Sequence, residues 1–474
     1  MRGQAQSRFR GLLASRQKRA MFAVGVIVVV GAIIGISVGV SQSKSSSPGK
    51  VVPVTTIKDV VIVPTGSPTP QPTPVPGPTP TGGVPSTTNG VPTPAPTQLG
   101  TTLIPTSSPT MLSEVIQSMQ EILKPHYPGE RFQALNTPNT PQNKALMWIA
   151  TNPNFKAYSP TVKIQRFTLA SIYYSLGGEG WFKKGRWITT SDECFWDGVS
   201  CKRGRVTEIN LGSNNMTGVF PTEFDILKEF LTKLSIPNNN IQVSNLIDLL
   251  TLVNLEYLDL DNNSVDGNIP DQIDSLSNLK TLKLSNNSVV GDLPVRLFDM
   301  INLEVLSLGD NFFSGLSDKI GQLINLKEFM FDRNDAATNV TSPRNFNPKN
   351  IPTTLGYLKK LKTLSMNEQK PPFQGRLPSE LGLLTALTTL SVMKNQIVGE
   401  LPPEIYNLKE LSNLGLGANK MNGTLSSEVK NFGNMETLII NDNQFEKTIP
   451  TEVGKMAFLT HFIADAVSQL SLLF

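Results

Sequence analysis

Residues 255–263 read LEYLDLDNN. The pattern returns as LKTLKLSNN at 279–287, LEVLSLGDN at 303–311, LTTLSVMKN at 387–395, LSNLGLGAN at 411–419 and METLIINDN at 435–443. The first apolar positions 255, 279 and 303 stand 24 residues apart, as do 387, 411, 435 and 459. A fixed period of this length means a stack of one structural unit, because a single unit cannot bury its own apolar face. Within the unit, Leu255, Leu258 and Leu260 are expected to point into a shared core, the last two flanking one residue as a short strand requires. Asn263 then turns inward where the chain leaves the strand. A buried carboxamide must satisfy both its donor and its acceptor, and stacked Asn263, Asn287 and Asn311 do so by bonding the backbone of neighbouring turns in a ladder. Gly267, Ile269 and Pro270 follow: the glycine suits a tight bend, and the proline ends backbone pairing on the outer face.

Strand starts at Val206, Leu231, Leu255, Leu279, Leu303, Leu326, Leu361, Leu387, Leu411, Met435 and Leu459 give ten repeats and a remnant. An FP, IP or LP step recurs after the bend at Pro221, Pro270, Pro294, Pro378 and Pro402. In this the units resemble plant-type leucine-rich repeats. The resemblance implies an α/β solenoid, a right-handed superhelix with a parallel sheet on its concave face. Three places depart from it. Residues 239–252 lack the Gly-x-Ile-Pro segment, and residues 314–320 lack the proline. An insertion at 335–350 (DAATNVTSPRNFNPKN) stretches repeat six to a period of 35 and is expected to emerge as a loop, a frequent place for binding residues.

Ahead of the repeats, residues 111–123, 143–150 and 162–176 read as helices, the first amphipathic. The stretch 177–211, GGEGWFKKGRWITTSDECFWDGVSCKRGRVTEINL, resembles the N-terminal cap of plant-type leucine-rich repeat proteins, with its paired tryptophans and CxWxGVxC-like core. The preamble from residue 140 onward (TPQNKALMWIA…QRFTLASIYYSLGG…W) also looks like that of leucine-rich repeat surface proteins in unicellular algae. A cap covers the raw core cross-section at a solenoid end, and Trp181, Trp187 and Trp196 supply its bulk. The resemblance implies a Cys194–Cys201 disulfide and therefore an oxidising compartment. A metal site is the rival reading of paired cysteines, but no other cysteine and no nearby histidine completes one.

The net charge is +4, and the first twenty residues hold six cations and no acids, leaving −2 for the remainder. The basic balance belongs to that tail and gives no argument for nucleic-acid binding. Residues 21–40, MFAVGVIVVVGAIIGISVGV, are uncharged and span about 30 Å as a helix, enough to cross a bilayer. The cations in front place the tail 1–20 in the cytoplasm. A cleaved signal peptide has a shorter apolar core, so an uncleaved signal-anchor is the better reading. Gly31, Gly35 and Gly39 form a GxxxGxxxG face that suits homodimer or co-receptor pairing, although glycine is common in membrane helices generally. Residues 41–110, rich in Pro, Thr and Ser, make a disordered stalk reaching roughly 200 Å at ~3.1 Å per residue. The division expected is thus tail 1–20, membrane helix 21–40, stalk 41–110, helical pre-cap and cap 111–205, and repeats 206–474.

Five N-glycosylation sequons, at Asn215, Asn262, Asn286, Asn339 and Asn422, fit an extracellular or lumenal face. No catalytic residues are assigned. His126 and His461 are too far apart in a solenoid to cooperate, the cysteines are spoken for, and 177–180 lacks the Lys-Ser/Thr of a P-loop. No cofactor is expected, and neither end has room for a kinase. The candidate binding surface is the concave face, where the positions between and just after the core leucines are Tyr257, Asp259, Asp261, Lys283, Asp310, Glu328, Asp332 and Arg333. Repeats eight and nine add Thr389, Ser391, Met393, Asn413, Gly415 and Gly417. Two classes of function follow. One is a non-enzymatic, single-pass, receptor-like surface protein that binds a protein, peptide or glycan. The other is a wall or matrix adhesion protein, or an inhibitor like the plant polygalacturonase inhibitors that the repeats resemble.

Overall fold

A computed structural model describes residues 109–244, 246–336, 350–446 and 449–465. The expected membrane helix with Gly31, Gly35 and Gly39, the stalk up to residue 108, and Asn339 with most of the repeat-six insertion lie outside these residues. No helix among the described residues is long and apolar enough to cross a membrane.

The leucine spacing folds as expected. One strand per repeat pairs with the next in parallel, and among the described residues the inner sheet has 12 strands. In order they are β1 (Val199–Lys202), β2 (Arg205–Asn210), β3 (Lys233–Ser235), β4 (Tyr257–Asp259), β5 (Thr281–Lys283) and β6 (Val305–Ser307). β7 (Glu328–Met330), β8 (Thr363–Ser365), β9 (Thr389–Ser391), β10 (Asn413–Gly415), β11 (Thr437–Ile439) and β12 (His461–Ile463) complete it. Only the first pair, β1 with β2, is antiparallel. The register holds across the long sixth repeat, where Glu328 faces Thr363. Leu255, Leu258, Leu260 and their counterparts are buried in a core that runs from the helical segment to the last repeat.

The asparagine ladder forms beside that core. Asn287 Nδ2 donates to Leu260 O at 2.9 Å and to Leu284 O at 3.0 Å, and its Oδ1 accepts from Val265 N at 2.9 Å. Asn263, Asn311, Asn395, Asn419 and Asn443 bond in the same way. Gln369 takes the position in repeat seven, its Nε2 reaching Phe331 O at 2.6 Å.

Behind the inner sheet, each repeat adds a short outer strand and one turn of 3-10 helix. The outer strands form a five-stranded sheet ending at Phe312–Phe313 and a three-stranded one beginning at Val398–Gly399. The gap between them coincides with the long repeat and with Pro371 and Pro372, which have no N–H to pair. The recurring prolines sit at the N-caps of the 3-10 turns. In the repeat lacking one, Ser317 accepts from Lys319 N at 3.2 Å instead. The segment 239–252 still gives a strand, Asn240–Val243, and a turn, Leu246–Leu249.

Four helices precede the strands: α1 (Pro109–Leu123), α2 (Arg131–Asn136), α3 (Pro141–Ala150) and α4 (Pro160–Ser175). Thr140 and Ser159 cap α3 and α4, and each helix has proline in its first turn, where the missing N–H costs nothing. The expected helices are present and α2 is additional. α4 packs against the first repeat and buries Arg166, whose side chain is 1% exposed. The guanidinium donates to Glu193 Oε2 at 2.9 Å, Ser191 O at 2.8 Å and Thr189 O at 2.6 Å, with the rings of Trp148, Tyr158 and Trp196 around it. Gln165 bonds Glu193 and accepts from Val206 N at 2.8 Å, which fixes the helical segment to β2. Trp181 meets Trp187 edge-to-face and Trp187 meets Trp196 at a tilt, with centroids 5.0 Å and 5.1 Å apart, and Cys194 is bonded to Cys201.

Candidate functional site

On the inner sheet, side chains that do not enter the core line up in columns, one member per strand. Tyr257 stands between Lys233 and Thr281, and Asp259 between Ser235 and Lys283. The Tyr257 hydroxyl donates to Asp259 Oδ2 at 3.2 Å, and Lys233 Nζ lies 4.8 Å from the tyrosine ring centroid, a cation–π contact. Burial, and then the Asp259 carboxylate, push the Tyr257 hydroxyl up to about 12.

Asp259 corrects the expectation of an exposed ligand contact, being only 7% exposed. Strict alternation along one strand predicts an open side chain. On a parallel sheet, however, the adjacent strands lie ~4.8 Å away: Ser235 and Lys283 flank Asp259, and Tyr257 bonds its carboxylate. Its Oδ1 accepts from Asp261 N at 3.1 Å. Asp261 in turn accepts from Ser285 N at 2.6 Å. Its carboxyl is pushed up to about 7, first by burial and then by the neighbouring Asp259 charge, with the Ser285 N–H and Lys283 acting in the opposite sense.

Asp261 belongs to a second ladder that the leucine pattern did not reveal. Ser285 Oγ accepts from Gly309 N at 3.0 Å, Asp332 Oδ1 from Asn367 N at 2.8 Å, and Asn367 Oδ1 from Met393 N at 2.6 Å. Ser365 and Ser391 add hydroxyl bonds to Asp332 and Asn367. Asp261, Ser285, Asp332 and Asn367 each cap a backbone N–H of the following repeat. The readable signal was a small polar residue recurring two places before the ladder asparagine.

Several remaining charges are paired along columns. Arg333 grips Asp310 through two bonds, Nε to Oδ1 at 2.6 Å and Nη2 to Oδ2 at 2.5 Å. The Asp310 carboxylate raises the guanidinium further above its ordinary value, against the effect of burial. Glu256 pairs with Lys280 at 2.6 Å, Glu304 with Lys327 at 2.8 Å and Glu368 with Lys394 at 3.3 Å. Exposed pairs of this kind contribute little to stability, but they leave little net field on the face. Of the sequence-derived set, Tyr257, Lys283 and Glu328 offer partly or fully exposed side chains that cap no backbone group. In repeats eight and nine, Thr389, Ser391, Asn413 and Gly415 share the same columns. The Met393 side chain lies over Gly415, a Cβ on which would stand 3.2 Å from the Met393 sulfur. Gly417 is buried.

Asn422 is exposed on the outer strand Lys420–Gly423. Asn215 is exposed too, though its Nδ2 donates to Gly180 O at 3.0 Å. Asn262 and Asn286 occupy left-handed backbone, with φ of 55° and 54°, at the end of the inner strands, and Asn286 Nδ2 donates to Asn262 Oδ1.

The family model described as Leucine Rich Repeat matches residues 254–276. Among curated proteins, the chain is 35% identical over 88 residues to Receptor-like protein 7 of Arabidopsis thaliana, a match covering 18% of this chain and 9% of that protein. It is 33% identical over 94 residues to Phytosulfokine receptor 1 of the same plant, covering 19% and 9%. The matches thus span about a tenth of the length of these curated relatives. Among solved structures, the Arabidopsis receptor kinase HAESA, in complex with the peptide hormone IDA and the co-receptor SERK1, superposes with a TM-score of 0.55 at 27% identity. That match covers 63% of this chain and 53% of the other. A plant ice-binding protein superposes at 0.50 with 19% identity over 64% of this chain and 96% of its own, a likeness of fold alone. The described repeats are therefore similar to the leucine-rich repeats of plant receptor-like proteins and receptor-kinase ectodomains, with the unit 254–276 matched by the family model.

Proposed function

We propose that this chain is the recognition part of a non-enzymatic surface receptor, and that its concave sheet binds a peptide or protein ligand. The observation that carries the reading is the open, in-register parallel face, presented by a fold whose solved relative HAESA holds a peptide hormone and a co-receptor. Polar columns at strand spacing suit a chain laid across the strands, whose amides find a hydroxyl or carboxamide at each repeat. The same reading makes the solenoid a right-handed superhelix outside the cell. Residues 21–40 are its single membrane helix, residues 41–110 its stalk, and Gly31, Gly35 and Gly39 its pairing face. A long, loose tether favours signalling by clustering with a partner over transmission of a rigid rotation.

The contact residues proposed are Tyr257, Lys283 and Glu328, with Asp259, Asp261, Asp310, Asp332 and Arg333 holding the surface in shape. Screening the full chain in detergent or nanodiscs against a peptide library identifies the ligand. Tyr257→Ala, Lys283→Glu and Glu328→Lys, combined, are expected to weaken its binding at least tenfold with an unchanged melting temperature. Unaltered affinity in that triple variant would mean the ligand does not use this face.

A further inference from the structure

The helical end of the molecule carries a surface that the concave-face reading leaves unused. Phe182 is 77% exposed and Phe195 is 64% exposed, although both lie in a segment whose other large rings, Trp181, Trp187 and Trp196, are buried. The two phenylalanines belong to one surface. Arg186 Nη1 donates to Phe195 O at 3.4 Å, and Gly185 N donates to Asp197 Oδ2 at 2.9 Å, which ties the loop 182–186 to the turn 195–197. The Cys194–Cys201 bond holds the neighbouring backbones at a Cα–Cα distance of 5.4 Å and so brings Lys202 to the same turn. Lys183, Lys184, Arg186, Lys202 and Arg203 are all exposed there.

Their partners differ from those of the lysines paired along the inner columns. Lys183 Nζ donates to Gly212 O at 2.9 Å, and Arg186 bonds a carbonyl, whereas Lys280, Lys327 and Lys394 meet carboxylates. Lys184 Nζ donates to the Glu179 carbonyl and stands 3.8 Å from the Glu179 carboxylate, which is 84% exposed. Carbonyl contacts fix the stems without neutralising the charge. The patch is thus a cation-rich track with an exposed ring on either side, in a chain that is net negative beyond its first twenty residues.

We infer that this surface binds a linear acidic polysaccharide, with Lys183, Lys184 and Arg186 meeting its carboxylates and Phe182 and Phe195 lying against the apolar faces of its sugar rings. Two features favour a polysaccharide over an anionic membrane. The rings are separated by cations instead of being gathered into one apolar cluster that could insert, and no exposed Leu, Ile or Val accompanies them in this segment. A repeating chain of sugar and charge suits Phe182 followed by Lys183, Lys184 and Arg186, with Phe195 tied to Arg186 through its carbonyl.

Alginate, a polyuronate, serves as the probe, with full-length protein in nanodiscs of neutral lipid. Saturable binding that weakens as salt is raised is expected. The pair Lys183→Glu and Arg186→Glu should lower affinity at least tenfold. Phe182→Ala with Phe195→Ala, which leaves the charge unchanged, should lower it at least threefold. Both pairs lie on the surface, and an unchanged melting temperature confirms that they fold. Polyglutamate of matched charge density and phosphatidylserine vesicles are the competing ligands. The inference is overturned if alginate does not bind, if polyglutamate binds equally and the phenylalanine pair has no effect, or if only the vesicles bind.

Discussion

At the scale of single residues, the Asp259–Asp261 pair has a consequence for pH. The Asp261 carboxyl ordinarily titrates near 3.8 and is raised to about 7 in the fold, chiefly by burial. The folded state therefore holds more protons than the unfolded chain between these values. The contribution of this group to stability is complete below about 4 and is lost as pH rises through about 7. Asp261→Asn removes the titration and keeps an oxygen for Ser285 N, as Asn367 does for Met393 N in a later repeat. The variant is expected to melt higher than the parent at pH 8, and its melting temperature should fall less between pH 4 and pH 8. Parallel curves for the two proteins would show that the carboxyl is not buried in this way. The sequence made these two aspartates visible as inner-face residues, because alternation assigns a side chain to a face. It could not show that they are covered, since the covering atoms come from strands 24 residues to either side. Gln369 escaped the Asn pattern for a related reason: its longer side chain reaches the same carbonyl column by a different path.

At the scale of elements, the junction between helices and repeats rests on a buried carboxylate. Glu223, 2% exposed, accepts from the Tyr127 hydroxyl at 3.0 Å and from Gln142 Nε2 at 2.9 Å. Burial first, and the Glu223 charge next, drive the Tyr127 hydroxyl far above its ordinary value, so it stays a donor at any physiological pH. Tyr127→Phe removes one of two donors to a buried charge and should cost about 1–3 kcal/mol. The loss is read as a lower midpoint for unfolding of the helical segment, followed by helical circular dichroism. An unmoved midpoint would mean that the junction is held by apolar contact alone. The longer helices α1, α3 and α4 were legible in the sequence, α1 from its amphipathic pattern. α2 was not, because six residues make fewer than two turns and show no period. Arg166 was hidden as well: a charge in the middle of α4 reads as a solvated position, and its partners Thr189, Ser191 and Glu193 lie more than 20 residues downstream.

At the scale of the whole molecule, the stack behaves as a one-dimensional array in which each repeat is stabilised by its neighbours. Its two described ends differ. Antiparallel β1 and the helices cover the first repeat, whereas the last repeat leaves Phe458 58% exposed and Leu459 and Phe462 half-buried. Hydrogen exchange at native pH should therefore be slowest in β5 to β9 and fastest in β11 and β12. Uniform protection along the sheet would mean that the solenoid opens only as a unit. This architecture was almost entirely readable in advance, because period and leucine spacing are local properties of the chain. Which polar side chains stay available for a ligand was not, because that depends on pairing between repeats.

The sixth repeat spends 35 residues between Glu328 and Thr363, yet the two remain cross-strand partners. At this seam, strand alignment is thus kept despite the extra residues between neighbours. Foreign segments spliced between these strands should leave the scaffold untouched, which makes this seam a natural port for grafting epitopes or reporter tags.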